Sequence, residues 1–237
     1  MQLILLAAGR GTRLPKKYRK KPKCLANVKN KAIIDHNTDF FNLFSTKHII
    51  TGYKSQNLNG YAKKNNFKII YNKNYRSTNM TYSLFLAKKF IKKNLVVCYG
   101  DIIFDKSVYN LLKENKDIIP VNKNWLKIWK KRMALKKIKK DAEDLVIENN
   151  LLKSIGNKIS KTLPKYQYMG IFKLKKKTFF KMEKFFKKNN NKKIDMTSFL
   201  NKVININKIQ FKTKIYKDFW FEIDNAKDIK VASQNLK

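Results

Sequence analysis

Histidine and cysteine are almost missing from this 237-residue chain, which holds only His36, His48, Cys24 and Cys98. That leaves no room for a disulfide framework or a Cys/His zinc site. Glycine and proline are also scarce, at seven and four residues, and no linker of Pro/Gly/Ser type divides the chain. No apolar run approaches the roughly 18 residues of a membrane span. The apolar start Gln2 to Ala8 lacks the basic leader and the length of a signal peptide. Acids are the scarcest charge, with 16 Asp+Glu against 55 Lys+Arg and a formal net charge of +39. Hydrophobic residues still make up 43% and aromatics 13%, enough for a core, so wholesale disorder is excluded. A cytoplasmic enzyme or binding domain with no membrane insertion is the expectation.

The basic surplus has a particular make-up. Five residues are Arg (Arg10, Arg13, Arg19, Arg76, Arg132) and 50 are Lys. Groove readers of nucleic acid lean on Arg, whose planar fork matches guanine and phosphate. Here Lys is spread along every segment beside abundant Asn and Ile. The charge therefore reads as compositional drift over a solvated surface, with no specific nucleic-acid partner. Its field should still gather phosphorylated small molecules. The few acids are informative by the same token. They cluster at Asp101/Asp105, at Asp141/Glu143/Asp144 and at Glu222/Asp224/Asp228.

Strand-like runs alternate with helix-period segments. Leu3–Ala7, His48–Thr51, Phe67–Tyr71, Leu95–Tyr99 and Asp117–Val121 read as strands. Ala32–Phe44, Asn79–Ile91 and Val108–Leu112 read as helices. After Pro120 the pattern changes. Asp144–Glu148 and Leu151–Ile155 flank Asn149-Asn150 as a hairpin, and Tyr166–Leu174 reads as one strand. Helices follow at Lys175–Phe186, Met196–Ile204 and Ala226–Gln234, with a strand at Ile209–Tyr216 before the last. The expected class is α/β: a Rossmann-like, mixed but mostly parallel sheet flanked by helices, with a β-hairpin and α+β elaboration in the second half. One domain spanning 1–237 is expected.

Leu6-Ala7-Ala8-Gly9-Arg10-Gly11-Thr12-Arg13-Leu14 follows the first strand, and Pro22-Lys23-Cys24-Leu25 follows a basic loop. Glycines at a strand end let backbone N–H groups approach a phosphate without a Cβ clash. Arg13 can fork onto phosphate oxygens, and Lys23 supplies a point charge. The loop is neither a dinucleotide fingerprint, because Leu14 stands where the third glycine belongs, nor a Walker A loop. On residue types alone a tight turn with a solvated basic loop stays open. The pairing of the two segments, however, resembles the signature of the sugar-phosphate nucleotidyltransferase superfamily. The resemblance implies a nucleotide site at Leu6, Ala7, Ala8, Gly9, Gly11, Thr12 and Gly100. In it Gly11 and Arg13 hold the triphosphate and Lys23 the α-phosphate. It also implies a nucleotide-binding half at 1–121 and an acceptor-binding half at 122–237.

The apolar strand before Gly100-Asp101 ends in an acid, at the crevice position where open α/β sheets bind ligands. Hard cations such as Mg²⁺ take carboxylate and phosphate oxygens. Asp105 reads as a cap. Phe219-Trp220-Phe221-Glu222-Ile223-Asp224 resembles the superfamily's late motif, which makes Asp101 and Asp224 the implied Mg²⁺ ligands. Glu222 alternates with Asp224 and shares its strand face. A cap on the helix from Ala226 is the alternative for Asp224.

Tyr75-Arg76-Ser77-Thr78-Asn79-Met80-Thr81-Tyr82-Ser83-Leu84 resembles the Asn-x-x-x-Ser-Leu element of LicC-type phosphocholine cytidylyltransferases and 2-aminoethylphosphonate cytidylyltransferases. There Asn79 and Ser83 would help read a cytosine nucleotide. An ordinary helix cap at Thr78 or Asn79 is the alternative. Trp125, Trp129, Arg132 and Ala142-Glu143 resemble the same group, with Asn122 where that group usually has Asp. Trp125, Trp129, Tyr168 and Trp220 could offer aromatic faces to a cationic head, each worth about 0.5–2 kcal/mol. Arg132, Glu143 and Glu222 complete the expected acceptor side. The resulting expectation is Mg²⁺-dependent transfer of CMP from CTP to a phosphocholine- or aminoalkylphosphonate-like acceptor. Sugar-1-phosphate nucleotidyl transfer from UTP, dTTP or GTP is the rival reading, and a non-catalytic nucleic-acid binder on this scaffold a remote one. A homodimer stays open.

Overall fold

The computed structural model describes residues 1–159 and 162–236. The first half contains β1 (Gln2–Ala7), β2 (Asn27–Val28), β3 (Lys31–Ala32), α1 (Thr38–Phe41), β4 (Thr46–Thr51), α2 (Asn59–Lys64), β5 (Phe67–Tyr71), α3 (Met80–Leu86), β6 (Leu95–Tyr99), β7 (Ile102–Phe104), α4 (Val108–Leu111) and β8 (Ile118–Asn122). The second contains α5 (Trp125–Arg132), α6 (Leu135–Asp141), β9 (Glu143–Glu148), β10 (Leu151–Lys158), β11 (Gln167–Tyr168), β12 (Ile171–Leu174), α7 (Lys176–Asn189), α8 (Met196–Asn205), β13 (Lys212–Tyr216), β14 (Trp220–Glu222) and α9 (Ala226–Asn235). Among the described residues no helix is long and apolar enough to cross a membrane.

Ten strands share one sheet, ordered β5-β4-β1-β6-β12-β8-β13-β10-β9 with β11 beside β8. Its first four members are parallel, β12 runs against both β6 and β8, and β13 returns parallel to β8. This is the mixed, largely parallel α/β sheet that the alternation of runs predicts. Strands β1 and β6 are buried on both faces, which explains their unbroken apolar composition. The hairpin of β9 and β10 turns through Asn149 and Asn150 at φ +50° and +60°, the left-handed pair a tight two-residue turn demands.

Two segments depart from their helical and strand periodicity. Ala32–Phe44 is not one helix but a 3₁₀ turn over Ile33–Asn37 followed by the single turn α1. Ile33 packs into a small core under α9, while its neighbour Ile34 packs into the main core. Asn37 is buried and spends its side chain on β7, donating to Ile102 O (2.7 Å) and accepting from Phe104 N–H (3.2 Å). These divided loyalties break the single-face pattern a helix needs. Tyr166–Leu174 is split into β11 and β12 by Gly170 at φ +74°.

A Cβ at Gly170 would stand 2.8 Å from the Tyr99 ring, and its carbonyl accepts the Tyr99 N–H at 3.0 Å. Gly170→Ala should therefore lower folding stability by about 1–3 kcal/mol, read as a lower urea midpoint at unchanged slope.

Candidate active site

Two loops and one ribbon build the site. Beyond β1 the chain turns at Gly11 (φ +62°), whose carbonyl accepts the Leu14 N–H at 3.0 Å. A Cβ on Gly11 would lie 3.0 Å from Lys23 Cβ, so the turn rests directly on the lysine stem. Lys23 opens a 3₁₀ turn that Pro22 starts. Its ammonium donates to Asp101 Oδ2 at 2.6 Å and to Asp224 Oδ1 at 2.7 Å. Arg13, largely exposed, adds a 2.7 Å contact to the same Asp224 oxygen.

Asp101 follows the C-terminal end of β6, the crevice edge of a parallel sheet. The chain then doubles back as β7, which pairs antiparallel with β14 so that Glu222 faces Ile102. One more bond continues the ribbon, Ile223 N–H to Asp101 O at 2.9 Å. Alternation along β14 brings Glu222 and Asp224 to one face, and oxygens of Asp101, Glu222 and Asp224 fall within 4.8 Å of one another. Three hard carboxylate oxygens beside a basic phosphate-type loop are the donor set a divalent cation such as Mg²⁺ takes.

Crowding shows in the ionisation. Burial, then the charges of Asp224 and Asp101, push the Glu222 carboxyl from 4.5 up to about 8. Asp224 goes the other way: burial would raise it, but Lys23, Arg13 and Arg132 hold it below its ordinary value. For Lys23 burial favours loss of the proton, and the charges of Asp101, Asp224 and Glu222 outweigh that, holding the ammonium well above its ordinary value. The adjacent Cys24 thiol is buried and pushed up to about 12, chiefly by desolvation and then by Asp101, so it is no nucleophile near neutrality.

Asp224 does not cap the last helix. Asn225 does, in a capping box with Asp228. Asp228 is fully buried, accepts the Asp224 and Asn225 N–H groups at 2.8 and 3.0 Å, and takes a two-pronged bond from Arg132 at 2.8 Å on each prong. Arg132 is thereby a support for the Asp224 backbone, sandwiched against the Trp129 and Phe221 rings.

Two cavities meet at this cluster. The smaller, about 150 Å³, is lined by Leu6, Ala8, Gly9, Asn79, Ser83 and Asp101 together with Asn72 at the end of β5. Asn79 is the α3 cap, accepting the Met80 N–H at 2.7 Å. Ser83 is buried and receives a 3.0 Å bond from Asn72. The larger cavity, about 630 Å³, is lined by Trp129, Arg132, Glu143, Tyr168, Trp220 and Glu222, with Arg13 and Asp224 at the cluster. Six expected site residues line neither cavity: Lys23 and Gly11, placed at the acids and at the turn, and Trp125, Ala7, Thr12 and Gly100. Trp125 belongs to the core, its Nε1–H donating to Pro164 O at 3.2 Å. Ala7 is buried in the main core, Thr12 is exposed, and Gly100 packs against the Leu6 carbonyl, where a Cβ would sit at 3.0 Å. Asn122 is also turned inward, its Oδ1 taking the Asn124 N–H. Gln167, Met80 and Asp195 line the larger cavity without having drawn notice in the sequence. Asp195 alone carried a signal, as the cap before the apolar pattern of α8.

The raised Glu222 carboxyl fixes a sign. Its folded value lies above its unfolded value, so its share of stability is present below pH 4.5 and lost as pH rises to about 8. Glu222→Gln should therefore melt higher than the parent at pH 8.5 without divalent ions, and the difference should shrink toward pH 5. Added Mg²⁺ should raise the parent more than the variant in the same thermal scans.

Known proteins resemble this chain in sequence and in fold. Residues 3–143 match the family described as "MobA-like NTP transferase domain". A CTP:phosphoglutamine cytidylyltransferase of Campylobacter jejuni is 34% identical over 185 residues, covering 73% of this chain and 72% of the relative. A choline-phosphate cytidylyltransferase of Streptococcus pneumoniae is 30% identical over 112 residues, 46% of this chain and 49% of the relative. The solved structure of LicC, the S. pneumoniae CTP:phosphocholine cytidylyltransferase, shares the fold, with a TM-score of 0.77 over 100% of this chain and 99% of that one at 21% identity. So does the inositol-1-phosphate CTP transferase of T. maritima, with a TM-score of 0.78 over 98% and 95% at 18% identity. The chain therefore belongs to the MobA-like NTP transferase domain family and is a nucleotidyltransferase.

Proposed function

We propose that this protein transfers CMP from CTP to a small phosphorylated or phosphonate acceptor bearing nitrogen, of the phosphocholine or aminoalkylphosphonate kind, and releases pyrophosphate. Both curated relatives described above are cytidylyltransferases with nitrogen-bearing phosphorylated acceptors. The observation that carries the reading is the Lys23 ammonium, which rests against the glycine turn and bonds both Asp101, on the wall of the smaller cavity, and Asp224, on the wall of the larger. Gly9 lines the smaller cavity, and a Cβ there would meet nothing within 4 Å, so its backbone is open to a ligand's close approach.

The nucleoside would occupy the smaller cavity in the 1–121 half, with Asn79 and Ser83 at the base. The acceptor would occupy the larger cavity, walled mainly by the 122–237 half. One acceptor phosphoryl oxygen attacks the α-phosphorus in line. The new O–P bond forms as the bond to the β-phosphate oxygen breaks, and pyrophosphate carries away the electron pair. The acceptor oxygen is already ionised near neutrality, so no protein base has to deprotonate it. Lys23 holds its proton and offsets charge at the α-phosphate, while the exposed Arg13 offsets charge on the leaving pyrophosphate. Asp101 and Asp224, with Glu222 beside them, would hold Mg²⁺, which supplies positive charge to triphosphate oxygens.

Pyrophosphate release, measured with CTP, UTP, dTTP and GTP against phosphocholine, 2-aminoethylphosphonate and hexose 1-phosphates, tests the reading. CTP with an amine-type acceptor should give the highest kcat/KM, and a hexose phosphate winning with another nucleotide would overturn it. Lys23→Ala should lower kcat on the order of 10²–10³-fold. EDTA should abolish turnover, and Mg²⁺ should restore it.

A further inference from the structure

The segment from Asn72 to Asn79 joins β5 to α3 with no helix or strand of its own, and it contains neither glycine nor proline. Loops of this kind are ordinarily the mobile part of a wall. This one walls the smaller cavity, where Tyr75, Thr78, Asn79 and Met80, all half-buried, face the space. Asn72 borders the same cavity but is only 1% exposed, so it works from behind that surface. Its side-chain amide makes three bonds. Oδ1 accepts the Asn74 N–H at 2.9 Å, and Nδ2 donates to Thr78 Oγ1 at 3.1 Å and to Ser83 Oγ at 3.0 Å. The backbone of the same residue donates to Thr51 O at 2.8 Å and accepts the Tyr75 N–H at 3.3 Å. One residue thereby joins the end of β4, its own loop and the side of α3.

The sense of these bonds is fixed. A backbone N–H only donates, so the amide oxygen must face Asn74 and the amide nitrogen the two hydroxyls. The Thr78 hydroxyl spends its one proton on Asn74 O at 2.9 Å, so towards Asn72 it can only accept. Asn74 in turn donates from Nδ2 to Tyr82 Oη at 3.2 Å, a second tie to α3. A carboxylate at position 72 would keep the acceptor and lose both donors, and an apolar side chain would lose all three bonds. A wall held in this way stands ready before a nucleoside arrives, which spares the ordering cost of binding. The groups proposed to hold the triphosphate, Gly11, Arg13 and Lys23, lie on a different loop, and none of these Asn72 bonds reaches them. We infer that Asn72 is a positioning residue for the nucleoside: it holds Tyr75, Thr78 and Ser83 in place around the smaller cavity and leaves the triphosphate contacts untouched. This inference rests on the nucleotidyl-transfer reading and adds to it a residue outside the Asn79–Ser83 element.

The test titrates the full chain with two probes, CTP and inorganic triphosphate, by calorimetry in the presence of Mg²⁺. The parent should bind CTP more tightly than triphosphate. Asn72→Ala removes the amide, and Asn72→Asp keeps its size and the acceptor for Asn74 but neither donor. In both, the Kd for CTP should rise about tenfold, the worth of one hydrogen bond, while the Kd for triphosphate stays unchanged. Thr78→Val cuts one bond from the half-exposed side, so the test stands even where position 72 tolerates no change. CTP should bind this variant more weakly too, again with triphosphate unmoved. A merely structural role would weaken both probes alike. Equal losses for the two probes, or CTP affinity unmoved in every folded variant, would overturn the inference. A parent that binds CTP no better than triphosphate sinks the nucleotidyl-transfer reading itself, and this with it.

Discussion

Three carboxylates packed into one corner of a protein repel one another, and the fold around them is arranged to tolerate that repulsion. Lys23 does most of it, with one ammonium touching Asp101 and Asp224 at once. Arg13 assists from the solvent side, and Glu222 gives way by holding its proton to an unusually high pH. Neutralisation inside a low-dielectric site is worth far more than between surface charges. That is why, among 50 lysines, this one, with a side chain only 11% exposed between two acids, matters most to the corner. The glycine turn, the Pro22-initiated 3₁₀ turn and the β7–β14 ribbon all serve to hold that contact.

Behind the acids stands a second layer. The Arg132–Asp228 pair is almost fully buried and doubly bonded, and Asp228 also holds the Asp224 backbone. Removing either partner leaves a stranded charge, which costs far more than a surface pair would. This support links α5, a wall of the larger cavity, to α9, the helix that follows the last acid. One guanidinium thus steadies the acid cluster through Asp228 while its residue also lines the larger cavity.

Much of this was legible from residue order, though not evenly. The loop from Leu6 to Arg13, the Pro22-Lys23 element and the acids Asp101 and Asp224 announce themselves by type and position. Asn149-Asn150 announces a hairpin because few residue pairs accept two left-handed conformations. Other features are written in tertiary contacts. Ala32–Phe44 has helical spacing, yet Ile33 and Ile34 face different cores and Asn37 is taken by β7. Trp125 and Trp129 look alike in sequence, but their rings stand edge to face (5.3 Å), and only Trp129 meets the cavity. Gln167 has no periodic or motif signal at all. Its place comes from the Gly170 break that shortens β11 and sets it against β8 beside the cavity.

Lys23 and Asp224 are 201 positions apart, and the ribbon that unites them includes β14, synthesised after every other strand described. During synthesis the glycine turn and Asp101 emerge long before the ribbon that completes their corner. Until it arrives, the lysine lacks its bond to Asp224 and the larger cavity lacks its Trp220 wall. The corner is thus closed late, by a contact between segments 201 positions apart rather than by any local sequence.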